Sequence, residues 1–306
     1  MSDVHAAGIS DAVLTEEAAR FLEEILIEAG MVSSDQSQFG RILVELGSPD
    51  GSAARLERLL IRDQGLSARV LRLANSASYG MSRSVTSLQS AITIVGFTSI
   101  RTLTMASAMA WDRVPESWSE FSLLHAYAAE SVAWQMGVPR PDAFSAGLLA
   151  DLGRSLLYKV TEGGYELLSD LAEHPDSLPA LELSAYGLTH QHVTREAFRR
   201  WRFPEPLVAA ASSHHDRIDQ IHDPLSLAVR VGHDVAAVLQ GGNPHLDWAQ
   251  ATDGHFIEAQ LEMYEGAIRA QASDLASVFA WSYDWLERSS DGEVARHFAP
   301  VRLHLQ

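Results

Sequence analysis

The sequence has no cysteine among its 306 residues, which excludes disulfide bonds and thiolate-based metal or catalytic sites. It is also poor in positive charge, since 23 Lys and Arg stand against 40 Asp and Glu and the formal net charge is −17. A surface this acidic repels the phosphate backbone of DNA or RNA, so we predict no nucleic-acid partner. The absence of cysteine also fits a reducing cytoplasm, and we predict cytoplasmic localisation.

Long apolar runs are absent as well. No uninterrupted apolar stretch reaches the roughly 18 residues that a membrane-spanning helix needs. Residues 1–11 hold two acids and no Lys or Arg, so they lack the positively charged start of a signal peptide. We therefore predict no membrane association. Hydrophobic residues still make up 46% of the chain, which is ample for a folded core.

One cluster of positive charge departs from the acidic average. It consists of four arginines within eight positions: Arg195, Arg199, Arg200 and Arg202. Arg195 and Arg199 are four residues apart and therefore share a helix face. We interpret the cluster as a solvated helix face. Direct DNA binding through it is the alternative, which the net charge of the chain opposes.

Helical periodicity dominates the sequence. In residues 15–30, Thr15 can cap a helix, acids fill its first turn and Gly30 ends it. The same patterns, with Gly96 as a break between two helices, predict helices at residues 15–30, 53–62, 66–74, 87–95, 98–110, 121–136, 142–158, 163–173, 178–187, 190–201, 205–213 and 224–239, and one or two within 247–288. No alternating strand pattern of useful length occurs, so the predicted fold class is all-α.

Two breaks divide the chain. Residues 112–120 are rich in Pro, Ser and charge, and residues 241–244 read Gly-Gly-Asn-Pro. Together with the start, at about residue 38, of the family resemblance described next, they predict four parts: an N-terminal helical extension at 1–37, a first lobe at 38–115, a second lobe at 116–240, and a C-terminal helical tail at 241–306.

A specific pattern begins at residues 61–80, IRDQGLSARVLRLANSASYG, and continues through residue 110. Polar residues fall at set places among helical apolar ones, and the positions of the pattern are Asp63, Leu66, Leu71, Leu73, Asn75, Ser76, Ser87, Ala91, Ile92 and Gly96. This pattern resembles the N-terminal half of the HDOD family, a group of all-helical signalling domains. The resemblance implies an N-terminal helical bundle packed on a bundle like that of the HD phosphohydrolases.

Three residues of this pattern have a simple structural interpretation. Asn75 and Ser76 end a helix and can bond its free backbone groups, although contact of Asn75 with a ligand is an alternative. Gly96 lies between two apolar helices and is typical of a helix C-cap in a tight turn.

The second half of the chain continues the resemblance, which covers about residues 38–240. The family has a Gly-Leu-Leu-His-Asp-Ile-Gly-like segment, a Gly-x-x-His helix start, a Trp-x-x-Pro turn and a His-His pair. This chain supplies Gly147, Leu148, Leu149, Asp151 and Gly153, then Gly187 with His190, Trp201 with Pro204, and His214 with His215.

The resemblance to HD phosphohydrolases also implies a metal site, which looks degenerate here. Active members hold a divalent metal with a His, a His-Asp doublet and a late Asp. The first His corresponds to His125, the doublet to Ala150 and Asp151, and the late Asp to about His233 with Asp234 adjacent. The methyl group of Ala150 cannot bind a metal. We therefore predict no bound metal, no cofactor and no catalytic residue.

The remaining polar residues are candidates for a vestigial site: His125, Asp151, His190, His214, His215, His233 and Asp234. Asp151 lies between apolar runs, so we expect it to be buried and to need a partner. His125 is the predicted partner, and without one the apolar surroundings would favour the neutral carboxyl. A rebuilt site, in which the histidines and Asp151 gather around a metal, remains the alternative.

The function implied by the resemblance is a non-catalytic regulatory module of a bacterial signalling pathway, related to response regulators. Residues before 38 are too few for a receiver domain, so we expect its partner to be another protein, or a small ligand. A metal-dependent phosphohydrolase or cyclic-dinucleotide phosphodiesterase is the alternative.

The tail adds aromatic residues, Trp248, Trp281, Tyr283 and Trp285. They either cover the core or form a surface for a partner or for self-association into a homo-oligomer.

Overall fold

The computed structural model describes residues 14–28, 38–48, 50–75, 79, 84–108, 114–161, 164–172, 174–201, 203–256 and 258–290. Within these ranges the chain forms helices and turns and contains no strand, which confirms the all-α prediction. No helix in the described part of the chain is long and apolar enough to cross a membrane.

The first part of the chain forms helices α1 (Glu16–Glu28), α2 (Gln38–Gly47), α3 (Ala53–Leu60), α4 (Gln64–Ala74) and α5 (Leu88–Ala108). The middle forms α6 (Glu116–Met136), α7 (Arg140–Leu149), α8 (Leu152–Val160), α9 (Gly164–Asp170), α10 (Leu178–Tyr186), α11 (His190–Arg200), α12 (Glu205–Ser212) and α13 (Pro224–Leu239). The last part forms α14 (Trp248–Ala251) and α15 (Glu258–Ser290).

Short polar side chains fix the starts of several helices. Ser52 accepts a hydrogen bond from the backbone N–H of Arg55 at the start of α3, and Asp63 accepts one from that of Leu66 at the start of α4. Each satisfies a backbone donor that has no partner within its own helix. Such caps explain why the predicted positions of α3 and α4 agree with the structure to within a few residues.

Gly96 interrupts α5 as predicted. Its φ of 80° and ψ of 160° are not helical, and the positive φ is one that glycine adopts without strain. Helix α5 packs against both α4 and α7, and the kink divides it into two segments. The sequence pattern therefore identified a real bend in the backbone.

Two predicted boundaries were wrong. Helix α6 begins at Glu116, directly after Pro115, and not at residue 121. The single helix predicted over 142–158 is two helices, because α7 ends at Leu149 and α8 begins at Leu152. The apolar periodicity runs on through this break, so no local signal indicated the turn at Ala150 and Asp151.

Helix α6 is the centre of the fold. It packs against α7, α13 and α15, and its residues from Phe121 to Ala129 are all buried. Helix α5 contacts both α4 and α7, so it joins the N-terminal bundle to the second one. This arrangement brings the starts or ends of several helices to one side of α6, where the polar residues gather.

The tail is partly core. Trp248, Phe256 and Ile268 are at most 4% exposed, and α15 packs on α6 and α4. For Trp248 the structure therefore supports the core interpretation. The side chains of Trp281, Tyr283 and Trp285 lie outside the described residues.

Asn75 ties the end of α4 to a distant segment. Its side-chain oxygen accepts from the N–H of Val85 at 2.7 Å, and its amide donates to the carbonyls of Val85 and Leu71, both at 2.8 Å. These bonds favour the structural interpretation of Asn75. Ser76 lies outside the described residues.

We expect Asn75→Ala to lower the free energy of unfolding by about 1–2 kcal/mol, because three hydrogen bonds are lost at a position that solvent can reach. Urea denaturation measures this difference. The matched control is Gln89→Ala, which truncates a similar amide side chain at an exposed position of α5 and should change the midpoint little. Equal midpoints for the two variants would contradict the structural role of Asn75.

Candidate functional site

Six of the predicted site residues meet in the interior of the second lobe. We call them the histidine cluster; all are buried, and they are His125, Asp151, His190, His214, His215 and His233. Neighbouring imidazole rings are 4.4 Å apart for His214 and His215 and 4.5 Å apart for His215 and His233, between ring centroids. Residues from α6, the α7–α8 turn, α11, the turn after α12 and α13 thus form one group.

The turn that presents Asp151 is fixed against α11. The hydroxyl of Thr194 donates to the carbonyl of Ala150 at 2.9 Å and accepts from the N–H of Gly153 at 3.0 Å. Gly153 lies so close to α11 that a Cβ atom there would be 2.0 Å from the carbonyl oxygen of His190. The absence of a side chain at Gly153 therefore allows Asp151 and His190 to approach each other.

Gly147, the other glycine of this motif, serves the packing of α7 on α6. A Cβ atom at this position would lie 3.0 Å from the carbonyl oxygen of His125 and 3.1 Å from the Cα atom of Ala126. It is therefore a packing residue.

The carboxylate of Asp151 is buried and neither oxygen has a hydrogen-bond partner. Its nearest charged or titratable neighbours are Arg154 at 3.6 Å, His190 at 3.8 Å and His214 at 3.9 Å. Burial acts to raise the pKa of Asp151, but the pKa lies below its ordinary value, and the positive charge of Arg154 is the largest influence that lowers it. Arg154 is thus the group that keeps this buried carboxylate charged.

His125 is not the direct partner of Asp151 that the sequence suggested. Its Nε2 atom lies 2.9 Å from the carbonyl oxygen of Val229 and must donate to it. The imidazoles that face the carboxylate belong to His190 and His214. The apolar spacing around Asp151 predicted its burial correctly but could not identify residues brought in from α11 and the turn after α12.

His190 is held by a buried acid that the sequence analysis missed. Its Nδ1 atom lies 2.8 Å from both carboxylate oxygens of Glu182, and its backbone N–H donates to the same carboxylate at 3.0 Å. The hydroxyl of Tyr165 also donates to Glu182. Because a carboxylate oxygen accepts, Nδ1 of His190 carries its proton and Nε2 is the free nitrogen.

His214 and His215 are oriented in the same manner. Nδ1 of His214 donates to the carbonyl of Ala211 at 2.8 Å, and Nδ1 of His215 donates to Asp176 at 2.9 Å. Asp176 also pairs with the guanidinium of Arg230 at 2.7 Å. All three imidazoles are thus fixed with Nε2 as the free nitrogen.

The free atoms of this group suit a metal ion. Nε2 of His190 and Nε2 of His214 are 3.1 Å apart, and in neutral imidazoles both carry lone pairs. Asp151, His190, His214 and His215 each place a ligand atom within 4.8 Å of the others. Hydrogen bonds from the second nitrogen of each imidazole are typical of metal-bound histidines. The donor set therefore fits a divalent transition metal. The sequence analysis predicted no bound metal, because it considered only the loss of a ligand at Ala150.

Burial keeps most of these imidazoles neutral. It lowers the pKa of His214 to about 3 and the pKa values of His215 and His233 well below their ordinary value, because a charged ring is unfavourable away from water. The pKa of His125 is lowered for the same reason. Neutral imidazoles are the form that binds metals.

Asp234 does not belong to the cluster. Its carboxylate accepts from the indole N–H of Trp248 at 2.7 Å and from the backbone N–H groups of His245 and Leu246. It therefore anchors the tail to α13. The prediction placed Asp234 beside the site because it follows His233, but consecutive helical residues face different directions.

A cleft of about 590 Å³ opens beside the cluster. Of the cluster, only His215 and His233 line it; Arg154 also does. The recess in front of Asp151, between Trp118, Arg154 and Ser155, has no room for a water molecule. Asp151, His190 and His214 thus do not line the open cleft, whereas their neighbour His215 does.

Two of the four arginines of the cluster pair with acids. Arg199 pairs with Glu205 at 3.3 Å, and Arg200 pairs with Glu23 and Glu196. Arg202 lies outside the described residues. These pairs agree with a solvated helix face.

We expect Glu182→Gln to lower the free energy of unfolding by about 1–3 kcal/mol, because a neutral amide cannot accept from His190 and Tyr165 together without turning a donor toward one of them. Thermal or urea denaturation checks this result. Tyr165→Phe removes one of the two donors, so a double-mutant cycle should show that the two effects do not add. Additive losses would contradict the shared network.

Comparison with known proteins gives one family. The model of the HDOD domain matches residues 34–217 of this chain. No curated protein matches the sequence.

Solved structures of similar shape include three proteins with TM-scores of 0.60 or above. The "putative phosphohydrolase" of Shewanella amazonensis SB2B is 20% identical, with a TM-score of 0.62, over 82% of this chain and 97% of that one. An HDOD domain protein of unknown function from Geobacter sulfurreducens is 20% identical, with a TM-score of 0.60, over 84% and 99%. A "putative signal transduction protein" from Marinobacter aquaeolei VT8 is 18% identical, with a TM-score of 0.60, over 89% and 67%. At these identities the similarity establishes a shared fold.

Proposed function

The chain belongs to the HDOD family, and from this premise we propose that it is a non-catalytic regulatory module that acts by binding another protein or a small ligand. The observation that carries the proposal is that Asp151 does not line the cleft. A hydrolase must bring its substrate to the metal, yet the recess in front of Asp151 admits no water molecule. Ala150 further removes the histidine that active HD enzymes use as a ligand.

The cleft supports a binding role for this module. At about 590 Å³ it has the size of a small-molecule site, and it is lined by both apolar and polar side chains. A regulatory domain needs such a surface to receive a signal, whereas it needs no access to Asp151. The similarity to a bacterial signal transduction protein in fold agrees with this role.

The proposal is tested by a hydrolysis assay with added Mn²⁺, Fe²⁺ or Mg²⁺. The substrates are p-nitrophenyl phosphate and bis(p-nitrophenyl) phosphate, and the matched control is Asp151→Asn. We expect the wild-type protein and the control to show the same background rate. Turnover by the wild type that the Asp151→Asn substitution abolishes would overturn the proposal.

A specific observation favours a second candidate, a metal-dependent phosphohydrolase with a rebuilt site. Asp151, His190, His214 and His215 would hold the ion, and the carboxylate of Asp151 has no other hydrogen-bond partner. When bound, a divalent ion polarises phosphoryl oxygens and lowers the pKa of bound water. The chain itself contributes Glu182, Asp176 and the Ala211 carbonyl, which orient the imidazoles.

Elemental analysis and the hydrolysis assay together separate the two candidates. A protein that contains a stoichiometric metal and hydrolyses the esters is the phosphohydrolase. A protein that is inactive, with or without metal, is the regulatory module. In the inactive case a bound metal would have a structural role.

A further inference from the structure

The cleft has an unusual composition for so acidic a chain. None of the described residues that line it is Asp or Glu, although the chain contains 40 of them. Apart from Arg154, its polar side chains are hydroxyl, imidazole and amide groups that carry no negative charge: Ser117, Ser169, His174, His215, His233, Gln240, Asn243 and His245. This composition favours a ligand that is rich in acceptors and negatively charged.

Arg154 provides the only permanent positive charge among the described lining residues. Its guanidinium stacks over Trp118 at 4.4 Å and donates to Ser169 at 3.0 Å, which hold it in place. Its Nη1 lies 3.6 Å from the carboxylate of Asp151, and its Nε is a buried atom without a hydrogen-bond partner. An arginine fixed in this manner is preorganised to bind an oxyanion, because little side-chain entropy is left to lose.

Donors reach the cleft from three different elements. Arg154 comes from α8, His233 and Gln240 come from α13 and its C-cap, and Asn243 comes from the linker that follows. A tetrahedral phosphate offers acceptor oxygens in several directions, whereas a carboxylate offers two in one plane. The apolar part of the lining includes Phe121, Leu178 and Ala237, and it suits the organic part of a ligand.

The tail contributes to this cleft. Asn243 and His245 line it, and the carboxylate of Asp234 fixes the linker by accepting from the N–H of His245 at 3.0 Å. The ring of His245 lies 4.6 Å from that of His174, which also lines the cleft. The anchoring of the tail by Asp234 therefore also shapes the cleft.

From these observations we propose that the cleft binds a small organic phosphate, with Arg154 and the surrounding imidazole and amide groups contacting the phosphate oxygens. This inference rests on the proposed function, since it names the class of ligand that the regulatory module receives. The ligand binds in the cleft and not at Asp151, and no bond is made or broken.

The test is isothermal titration calorimetry at low salt, on protein freed of metal with a chelator, with pyrophosphate and adenosine 5′-monophosphate as probes and citrate as a polycarboxylate comparison. We expect both phosphates to bind and citrate to bind more weakly. Arg154→Gln should weaken phosphate binding by about tenfold or more, as expected for a hydrogen bond to a charged group. The matched control is Arg217→Gln at an exposed arginine that pairs with Asp219, which should leave binding unchanged.

A second variant distinguishes a loss of phosphate binding from a folding defect caused by Arg154→Gln. Asn243→Glu places a carboxylate at the exposed rim, so the protein should keep its circular dichroism spectrum and melting temperature while losing phosphate affinity. Absence of phosphate binding to the wild type, preferential binding of citrate, or unchanged affinity in both variants would overturn the inference. Hydrolysis of bound adenosine 5′-monophosphate would instead overturn the proposed function, whereas the inference that the cleft binds phosphate would still hold.

Discussion

Acidification in the presence of a chelator, from about pH 7.5 to about pH 5, is expected to destabilise the folded protein severely. His214, His215 and His233 are buried and their pKa values lie well below the ordinary one, at about 3 for His214. In the unfolded chain they titrate near their ordinary pKa of about 6.5. The unfolded state therefore takes up protons below that pH and the folded state does not.

This difference in proton uptake makes the free energy of unfolding decrease as the pH falls. The folded-state pKa values are depressed, so stability is complete above about pH 6.5 and is lost as the pH falls toward the folded-state values. Each of the three histidines should contribute about 2 kcal/mol of destabilisation at pH 5, or on the order of 6 kcal/mol together. This sum is comparable to the whole stability of a typical domain, about 5–15 kcal/mol.

Urea denaturation at a series of pH values measures the effect. The slope of the unfolding free energy against pH gives the number of protons taken up on unfolding, which should be about three below pH 6 from these residues, with a further contribution from His125, whose pKa is also lowered. His233→Gln should reduce that number by one. A free energy of unfolding that is constant from about pH 7.5 to about pH 5 would show that the imidazoles are not buried as described.

The second large effect is expected from Gly153→Ala. An added Cβ atom would lie 2.0 Å from the carbonyl oxygen and 2.7 Å from the carbonyl carbon of His190. Both are backbone atoms, so the clash can be relieved only by moving α8 away from α11. Overpacking usually costs about 1–3 kcal/mol and occasionally more, and we expect a loss of about 3 kcal/mol or more at this position.

Gly266→Ala is the matched control, because it makes the same chemical change within α15. No atom lies within 4 Å of a Cβ at Gly266, which is exposed. Alanine favours a helix more than glycine does, so this variant should gain about 0.5–1 kcal/mol. Thermal denaturation of the two variants and the wild type should show a lower melting temperature for Gly153→Ala and a higher one for Gly266→Ala. A Gly153→Ala protein with the wild-type melting temperature would contradict the close approach of α8 and α11.

Much of the fold was predictable from the sequence because its signals are local. Caps such as Ser52 and Asp63, and a break such as Gly96, act within a few residues of themselves. The turn at Ala150 and Asp151 was missed because the apolar periodicity continues across it. The tertiary contact of Thr194 with that turn, 44 residues away in sequence, decides its shape.

The sequence predicted which residues form the site but not which hydrogen-bond and ionic partners they have. Histidine and aspartate residues can be counted in a sequence, whereas their partners depend on how helices pack. Asp176, Glu182 and Arg154 were missed for this reason, although Glu182 left a signal as a lone acid within the apolar run LPALELSAY. Asp234 was misplaced because adjacency in sequence does not imply a shared direction in a helix.

The measurement that tests the central claim most directly is a single-turnover experiment with the protein in excess over a cyclic dinucleotide, in the presence of Mn²⁺. Excess protein detects even very slow catalysis, and chromatography resolves the linear product from the substrate. Because Asp151, His190 and His214 do not line the cleft, we expect the cyclic dinucleotide to remain intact with the wild type and with Asp151→Asn alike. Formation of linear product by the wild type, and not by Asp151→Asn, would contradict the account and identify the protein as a phosphohydrolase.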